Sequence, residues 1–370
     1  MSLFTPDRSP RLIVKVGSAL LVDQAGAIRR PWLADLAAAI AGRVAAGQQV
    51  AVVSSGAIAL GARMLGLPRG GRASLEDAQA AAATGQIALS SSWAELLSAN
   101  GRQAAQMLVT LDDLEDRRRY LNGAATLGRL LGLGIVPVIN ENDSVATEEI
   151  RFGDNDRLAA RVGAAAGASG VVLLSDIDGL YTANPARDPA AEHIPVVEAI
   201  DARIAAMADT GSASGMGSGG MVSKIAAARI ATAAGAHLAI VSGHADDPLA
   251  ALEGGRCTVF LAERAAPARK AWLAGGLTAK GTIRIDAGAA RALRDGRSLL
   301  AAGATQVEGR FARGDLLTIV GPEGALARGL SEYDAADAVR IAGRRSEEQA
   351  AILGYAPRAA LVHRNHMALL

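Results

Sequence analysis

Residues 135–156 read I-V-P-V-I-N-E-N-D-S-V-A-T-E-E-I-R-F-G-D-N-D. The apolar run at 135–139 has the length and β-branching of a buried strand. It stops at Asn140-Glu141-Asn142-Asp143, and Gly153-Asp154-Asn155-Asp156 then opens a helical stretch over 157–166. Asp154 and Asp156 stand at that helix start, where backbone N–H groups favour caps and anions. A solvated turn needs fewer acidic and amide groups than this, so the stretch predicts a site at the end of a buried strand.

Working outward, the same pattern recurs. Strands are expected at 11–16 (R-L-I-V-K-V), 49–53, 103–109, 170–174 and 237–241, with helices at 31–46, 57–66, 76–98, 117–131, 200–208 and 221–234. Alternating strands and helices predict an α/β fold, helices on both sides of a mainly parallel sheet. In such sheets ligands bind beyond the carboxyl ends of the strands. Those ends carry Lys15-Val16-Gly17-Ser18, Ser54-Ser55-Gly56, Asn140 to Asp143 and Ser175-Asp176, which points to one shared site. From residue 281 the segments become short and turn-rich, predicting a small β-rich domain. The expected division is 1–262 for the first domain, 263–280 for a linker and 281–370 for the second domain and tail.

Composition narrows the function. Of 38 basic residues, 34 are arginine and four are lysine: Lys15, Lys224, Lys270 and Lys280. Arginine replaces lysine at most solvated positions but not where a compact ammonium must fit beside one oxygen. Lys15 and Lys224 are therefore candidates for chemistry, while Lys270 and Lys280 read as linker residues retained by chance. A net charge of +1 gives no general attraction to nucleic acid or membrane. The apolar runs are too short to span a bilayer, and no secretory signal is evident at the N-terminus. Cys257 is the single cysteine, which excludes an internal disulfide and fits the cytoplasm.

The Gly/Ser stretch at 211–220 (G-S-A-S-G-M-G-S-G-G) runs into Met221-Val222-Ser223-Lys224 and a helix, offering N–H donors and a cation to phosphate. It is neither a Walker A loop nor a Rossmann fingerprint. Two lysines from distant parts of the chain, with carboxylates at strand and helix ends, suit phosphoryl transfer, which needs positioning and cations more than covalent work by the protein. The five histidines are scattered and read as structural or solvated. A site without histidine fits an acceptor already anionic, such as a carboxylate with pKa about 4.

Six motifs in order, K-V-G-S at 15–18, S-S-G-A-I-A at 54–59, V-P-V-I-N-E-N-D-S-V at 136–145, F-G-D-N-D at 152–156, L-L-S-D-I-D-G-L-Y-T-A-N-P at 173–185 and G-S-G-G-M-V-S-K at 217–224, resemble the glutamate 5-kinase family of the amino acid kinase fold. Residues 281–358 are similar to a PUA domain. The resemblance implies transfer of the ATP γ-phosphoryl to the side-chain carboxylate of L-glutamate, the first step of proline biosynthesis, with Mg²⁺ arriving on ATP. It implies that Lys15, Lys224 and Asp156 are catalytic, Asp156 holding the two ammonium groups. It assigns Ser55, Asp143 and Asn155 to glutamate, Asp143 through the α-amino group. Nucleotide would contact Lys15, Ser175, Asp176, Ser218, Gly219, Gly220, Met221, Val222, Ser223 and Lys224. It further implies a homo-oligomer and feedback inhibition by proline. Ser18 and Ser175 stand where the family often has Thr, and Arg157 where a smaller polar residue is common.

Two other readings compete. A kinase of the same fold acting on N-acetylglutamate, aspartate or a nucleoside monophosphate would keep both lysines and Asp156 but not this pairing of N-E-N-D with G-D-N-D. An RNA-binding protein is the other. Residues 281–370 hold 12 Arg against 10 Asp or Glu and no Trp, thin for an electrostatic footprint, so strong RNA binding is not expected.

Overall fold

The computed structural model describes residues 2–23, 26–145, 155–208, 220–244, 247–263 and 279–370. The chain divides into two compact units, residues 1–115 with 122–264, and residues 116–121 with 265–370.

The first unit begins with β1 (Arg11–Val16), α1 (Ser18–Leu21), α2 (Arg30–Ala45), β2 (Gln49–Ser54), α3 (Ala57–Leu65), α4 (Leu75–Ala99) and β3 (Ala104–Val109). There follow α5 (Leu111–Glu115), α6 (Arg117–Gly132, of which residues 117–121 belong to the second unit), β4 (Val136–Glu141), α7 (Asn155–Ala166) and β5 (Gly170–Ser175). After β6 (Leu180–Tyr181), β7 (His193–Ile194) and β8 (Val196–Val197) come α8 (Ala202–Met207), α9 (Met221–Ala233), β9 (His237–Ser242) and β10 (Cys257–Phe260). Among the described residues, eight strands form one sheet in the order β3-β4-β2-β1-β5-β9-β10-β8. From β3 to β9 every pairing is parallel, and β10 runs antiparallel to β9. The expected mainly parallel sheet is present; β10 and the edge strand β8, four and two residues long, are strands the sequence pattern does not announce.

Strand alternation explains how the sheet is covered. Leu12, Val14 and Val16 of β1 join the core under α2 and α4, with Leu33, Leu36 and Trp93. Ile13 points the other way, into the core under α7 and α9, with Ala159, Val162 and Ala227. Lys15 shares the Ile13 face, the one that α7 and α9 cover. That parity, set by the sequence R-L-I-V-K-V, brings the lysine to the starts of both helices.

The helix pair over β2 is unusually close. A Cβ on Gly61 of α3 would lie 1.8 Å from the Ala81 carbonyl oxygen, and one on Gly85 of α4 would lie 1.9 Å from that of Ala57. Only glycine at both positions lets the two backbones meet. Trp93 of α4, fully buried, donates its indole N–H to Ser54 Oγ at 3.0 Å and pins the same helix to the end of β2.

In the second unit β11 (Gly281–Ile285), β12 (Ala304–Gly309), β13 (Leu316–Gly321), β14 (Gly324–Leu330) and β15 (Met367–Leu369) form a sheet in the order β12-β11-β13-β14-β15. The expected β-rich domain is present, and α10 (Ala287–Arg294), α11 (Ala335–Ile341) and α12 (Ser346–Leu353) pack with its sheet around Leu293, Ile319 and Ile341. Asp286 and Asp334 cap the first two of these helices. Lys280 forms an ion pair with Asp315 at 2.9 Å, and an exposed pair of this kind contributes little stability.

Candidate active site

β1, α7 and α9 converge on one carboxylate. Asp156, in the first turn of α7, accepts Lys15 Nζ on Oδ1 at 2.6 Å and Lys224 Nζ on Oδ2 at 3.0 Å. Lys15 is 7% exposed, Lys224 4% and Asp156 1%. Burial alone would push the Asp156 carboxyl up. The charges of the two ammonium groups, and their hydrogen bonds, outweigh burial and hold it below its ordinary value of 3.8. Three buried groups thus carry a net charge of +1 where β1 ends. Lys224 takes its place because Gly220, extended and without a side-chain cap, starts α9 four residues earlier.

A second, uncharged arrangement lies beside this one. Asn155 Nδ2 donates to Ser55 Oγ at 2.6 Å and to Asn140 Oδ1 at 3.2 Å. Asn140 Oδ1 also accepts the Glu141 backbone N–H at 2.9 Å, and Asn140 Nδ2 donates to Gln86 Oε1 at 2.8 Å. Gly56, whose φ of +106° suits glycine, turns the chain from Ser55 into α3; a Cβ there would also press on Leu21. Asn155 is 3% exposed, and its Oδ1 has no partner among the described residues. A buried acceptor left open in this way suits a donor on a ligand.

Asp143, just past β4, lines a cavity of about 330 Å³ with Gln86, Glu141 and Asn142. Burial raises its pKa from 3.8 to about 6 despite the opposing charge of Arg72. Ser175 closes β5, donates to Asp176 Oδ1 at 2.9 Å and accepts the Gly243 N–H on its carbonyl at 2.7 Å. Ser175 is buried and Asp176 exposed. Met221, Val222 and Ser223 form the first turn of α9, with Val222 exposed.

The structure therefore brings Lys15, Asp156 and Lys224 into direct contact and joins Ser55 to Asn155. Asp143, Ser175 and Asp176 sit at neighbouring strand ends without a direct bond to these groups. Ser218 and Gly219, with Asp154, lie outside the described residues. Asn140, at a strand end that the sequence assigns to the shared site without a role, is buried and bonds to both Asn155 and Gln86. Gln86, inside an alanine-rich helix, carries no such signal in the sequence.

The chain matches the amino acid kinase family over residues 10–242 and the PUA domain over residues 281–353. It is 73% identical over 371 residues to a protein named glutamate 5-kinase from Sphingopyxis alaskensis, the match covering the whole of both chains. It is 62% identical to the glutamate 5-kinase of Zymomonas mobilis subsp. mobilis, across all of this chain and 94% of that one. Against the glutamate 5-kinase of Novosphingobium aromaticivorans it is 63% identical, across 98% and 96% of the two chains. The chain belongs to the amino acid kinase family, among its glutamate 5-kinases, and carries a PUA domain.

Proposed function

We propose that the enzyme transfers the γ-phosphoryl group of ATP to the side-chain carboxylate of L-glutamate, giving glutamyl 5-phosphate and ADP at the first step of proline biosynthesis. The observation that carries this reading is the pair of buried ammonium groups on one carboxylate. A phosphoryl group in flight spreads negative charge over its oxygens, and cations fixed beforehand stabilise that charge without rearranging. Asp156 keeps Lys15 and Lys224 close despite their repulsion, and the glutamate carboxylate attacks without needing a general base.

Lys15, Ser175, Asp176 and residues 218–224 hold the nucleotide, with the open N-terminus of α9 facing phosphate oxygens. Mg²⁺ enters with ATP as part of the substrate, bound by phosphate and water. Among the described residues no three His, Cys, Asp or Glu side chains converge on a metal position. Ser55, Asn155 and Asp143 hold glutamate. The same reading includes a homo-oligomer, feedback inhibition by proline and a cytoplasmic location. Among the described residues no helix is long and apolar enough to cross a membrane.

Initial rates of ADP release with Mg-ATP are expected with L-glutamate and to fall to background with L-aspartate, N-acetyl-L-glutamate and UMP. Turnover of one of those three instead of glutamate would keep the cationic site and discard the acceptor.

The raised pKa of Asp143 gives a second expectation. Above pH 6 its carboxylate is ionised and pairs with the α-ammonium of glutamate; below pH 6 it takes a proton and the pair is lost. KM for glutamate should therefore climb about tenfold per pH unit below 6 while KM for ATP stays level. In the free enzyme the sign is opposite. A carboxyl whose folded pKa is raised stabilises the fold most when protonated and loses that contribution as pH rises through 6. Asp143→Asn should accordingly raise Tm at pH 7.5 while weakening glutamate binding. A lowered Tm, or a KM independent of pH between 5 and 7, would contradict this role.

A further inference from the structure

Gln86 stands beside the Gly61–Gly85 contact and is 8% exposed. Its Oε1 accepts from Asn140, while its Nε2 is buried with no partner among the described residues. A buried donor left unpaired costs stability, which the bond that Oε1 accepts from the buried Asn140 offsets. The oxygen is the useful end.

A primary amide is nearly symmetric in shape and opposite in hydrogen-bonding sense at its two ends, so its neighbours select its orientation. At Asn140 the Glu141 N–H fixes the oxygen from one side and Gln86 Oε1 fixes the nitrogen from the other. With Oδ1 so placed, Asn155 turns its Nδ2 toward Asn140 and Ser55, and its buried Oδ1 keeps no partner among the described residues. We propose that Gln86 is a positioning residue for the acceptor substrate: through Asn140 it orients the Asn155 amide to present an oxygen, not an N–H, to the α-ammonium group. This rests on the reading of glutamate as acceptor. A reversed Asn155 amide would set a donor against that ammonium and weaken the binding of glutamate, with no consequence for the nucleotide.

The test combines steady-state kinetics and thermal melts on Q86M, N140A, the double variant and Q86E in the full-length enzyme. Q86M is expected to raise KM for glutamate about tenfold, the effect of losing roughly one neutral hydrogen bond, with KM for ATP within about twofold. Its Tm should change little, because the unpaired Nε2 is gone while Asn140 Nδ2 loses its acceptor; the split between KM for glutamate and KM for ATP is the readout that a purely structural glutamine would not give. In the N140A background, Q86M should change KM by less than about twofold, since neighbours acting in series are not additive. Q86E keeps an oxygen toward Asn140 and should recover most of the affinity lost in Q86M. An unchanged glutamate KM in Q86M, equal effects in both backgrounds, or a rise in KM for ATP matching that for glutamate would overturn the proposal. Failure of the unaltered enzyme to use glutamate would remove the acceptor reading and this inference with it. Normal use of glutamate by the unaltered enzyme and by Q86M alike would remove the inference alone.

Discussion

Replacing Lys224 with alanine is expected to lower kcat by about 10²- to 10³-fold, the usual effect of removing one preorganised donor from developing charge. KM for glutamate should move only a few-fold, because Lys224 lies against Asp156 and apart from the Asn155–Ser55 pair. The fold should persist: Asp156 keeps Lys15 at 2.6 Å as its counter-charge. Lys15→Ala should behave alike, and the double variant should lose less than the product of the two, since both cations act on one transferring group. Lys224→Arg should rescue poorly. A planar guanidinium does not fit a place that is 4% exposed and shaped for one ammonium beside one carboxylate oxygen. Asp156→Ala is the contrasting case, removing the carboxylate that two buried ammonium groups share, a loss on the order of 3–5 kcal/mol in stability as well as activity. Burst and steady-state kinetics with thermal melts separate these outcomes. Near-normal kcat in both lysine variants would remove the two-cation mechanism.

The second large effect concerns no polar group. Gly85→Ala should lower Tm by roughly 5–10 °C, because its Cβ would meet the Ala57 carbonyl oxygen at 1.9 Å and the Gly61 nitrogen at 2.5 Å. Neither is the end of a flexible side chain, so α3 and α4 must move apart. α3 begins just past Ser55, and α4 presents Gln86 to Asn140, so the displacement should also raise KM for glutamate and spare that for ATP. Gly42→Ala in α2 is the control: a Cβ there meets nothing within 4 Å, and alanine is the better helix former. A Gly85→Ala enzyme with unchanged Tm and KM would show that the two helices tolerate separation and do not set the geometry of the glutamate side.

Much of this is legible in the sequence. The order of strands and helices and the polar ends of β1, β2, β4 and β5 each had a local signal in residue type or spacing. Lys15 stood out because an ammonium in a buried strand breaks the pattern, and strand parity then put it on the α7–α9 side. What remained hidden depends on contacts between distant segments. Gln86 sits among alanines small enough to blur the buried face of α4, so nothing local marks it as inward. Asn140 shows its polarity in the sequence but not its burial. Gly61 and Gly85 are 24 residues apart, and only packing reveals that each exists for the other. The three helices of the second unit are silent in the sequence for another reason: at seven or eight residues they give too few turns for periodicity to emerge, although Asp286 and Asp334 have the residue type of caps.

The most direct test of the account is chemical trapping of the product. The enzyme would be incubated with Mg-ATP, L-glutamate and hydroxylamine, with ADP and hydroxamate measured together. The account predicts γ-glutamyl hydroxamate in a one-to-one ratio with ADP, and neither product from the Lys224→Ala enzyme at the same time point. ADP without hydroxamate, or a hydroxamate formed at the α-carboxyl, would contradict phosphoryl transfer to the side-chain carboxylate.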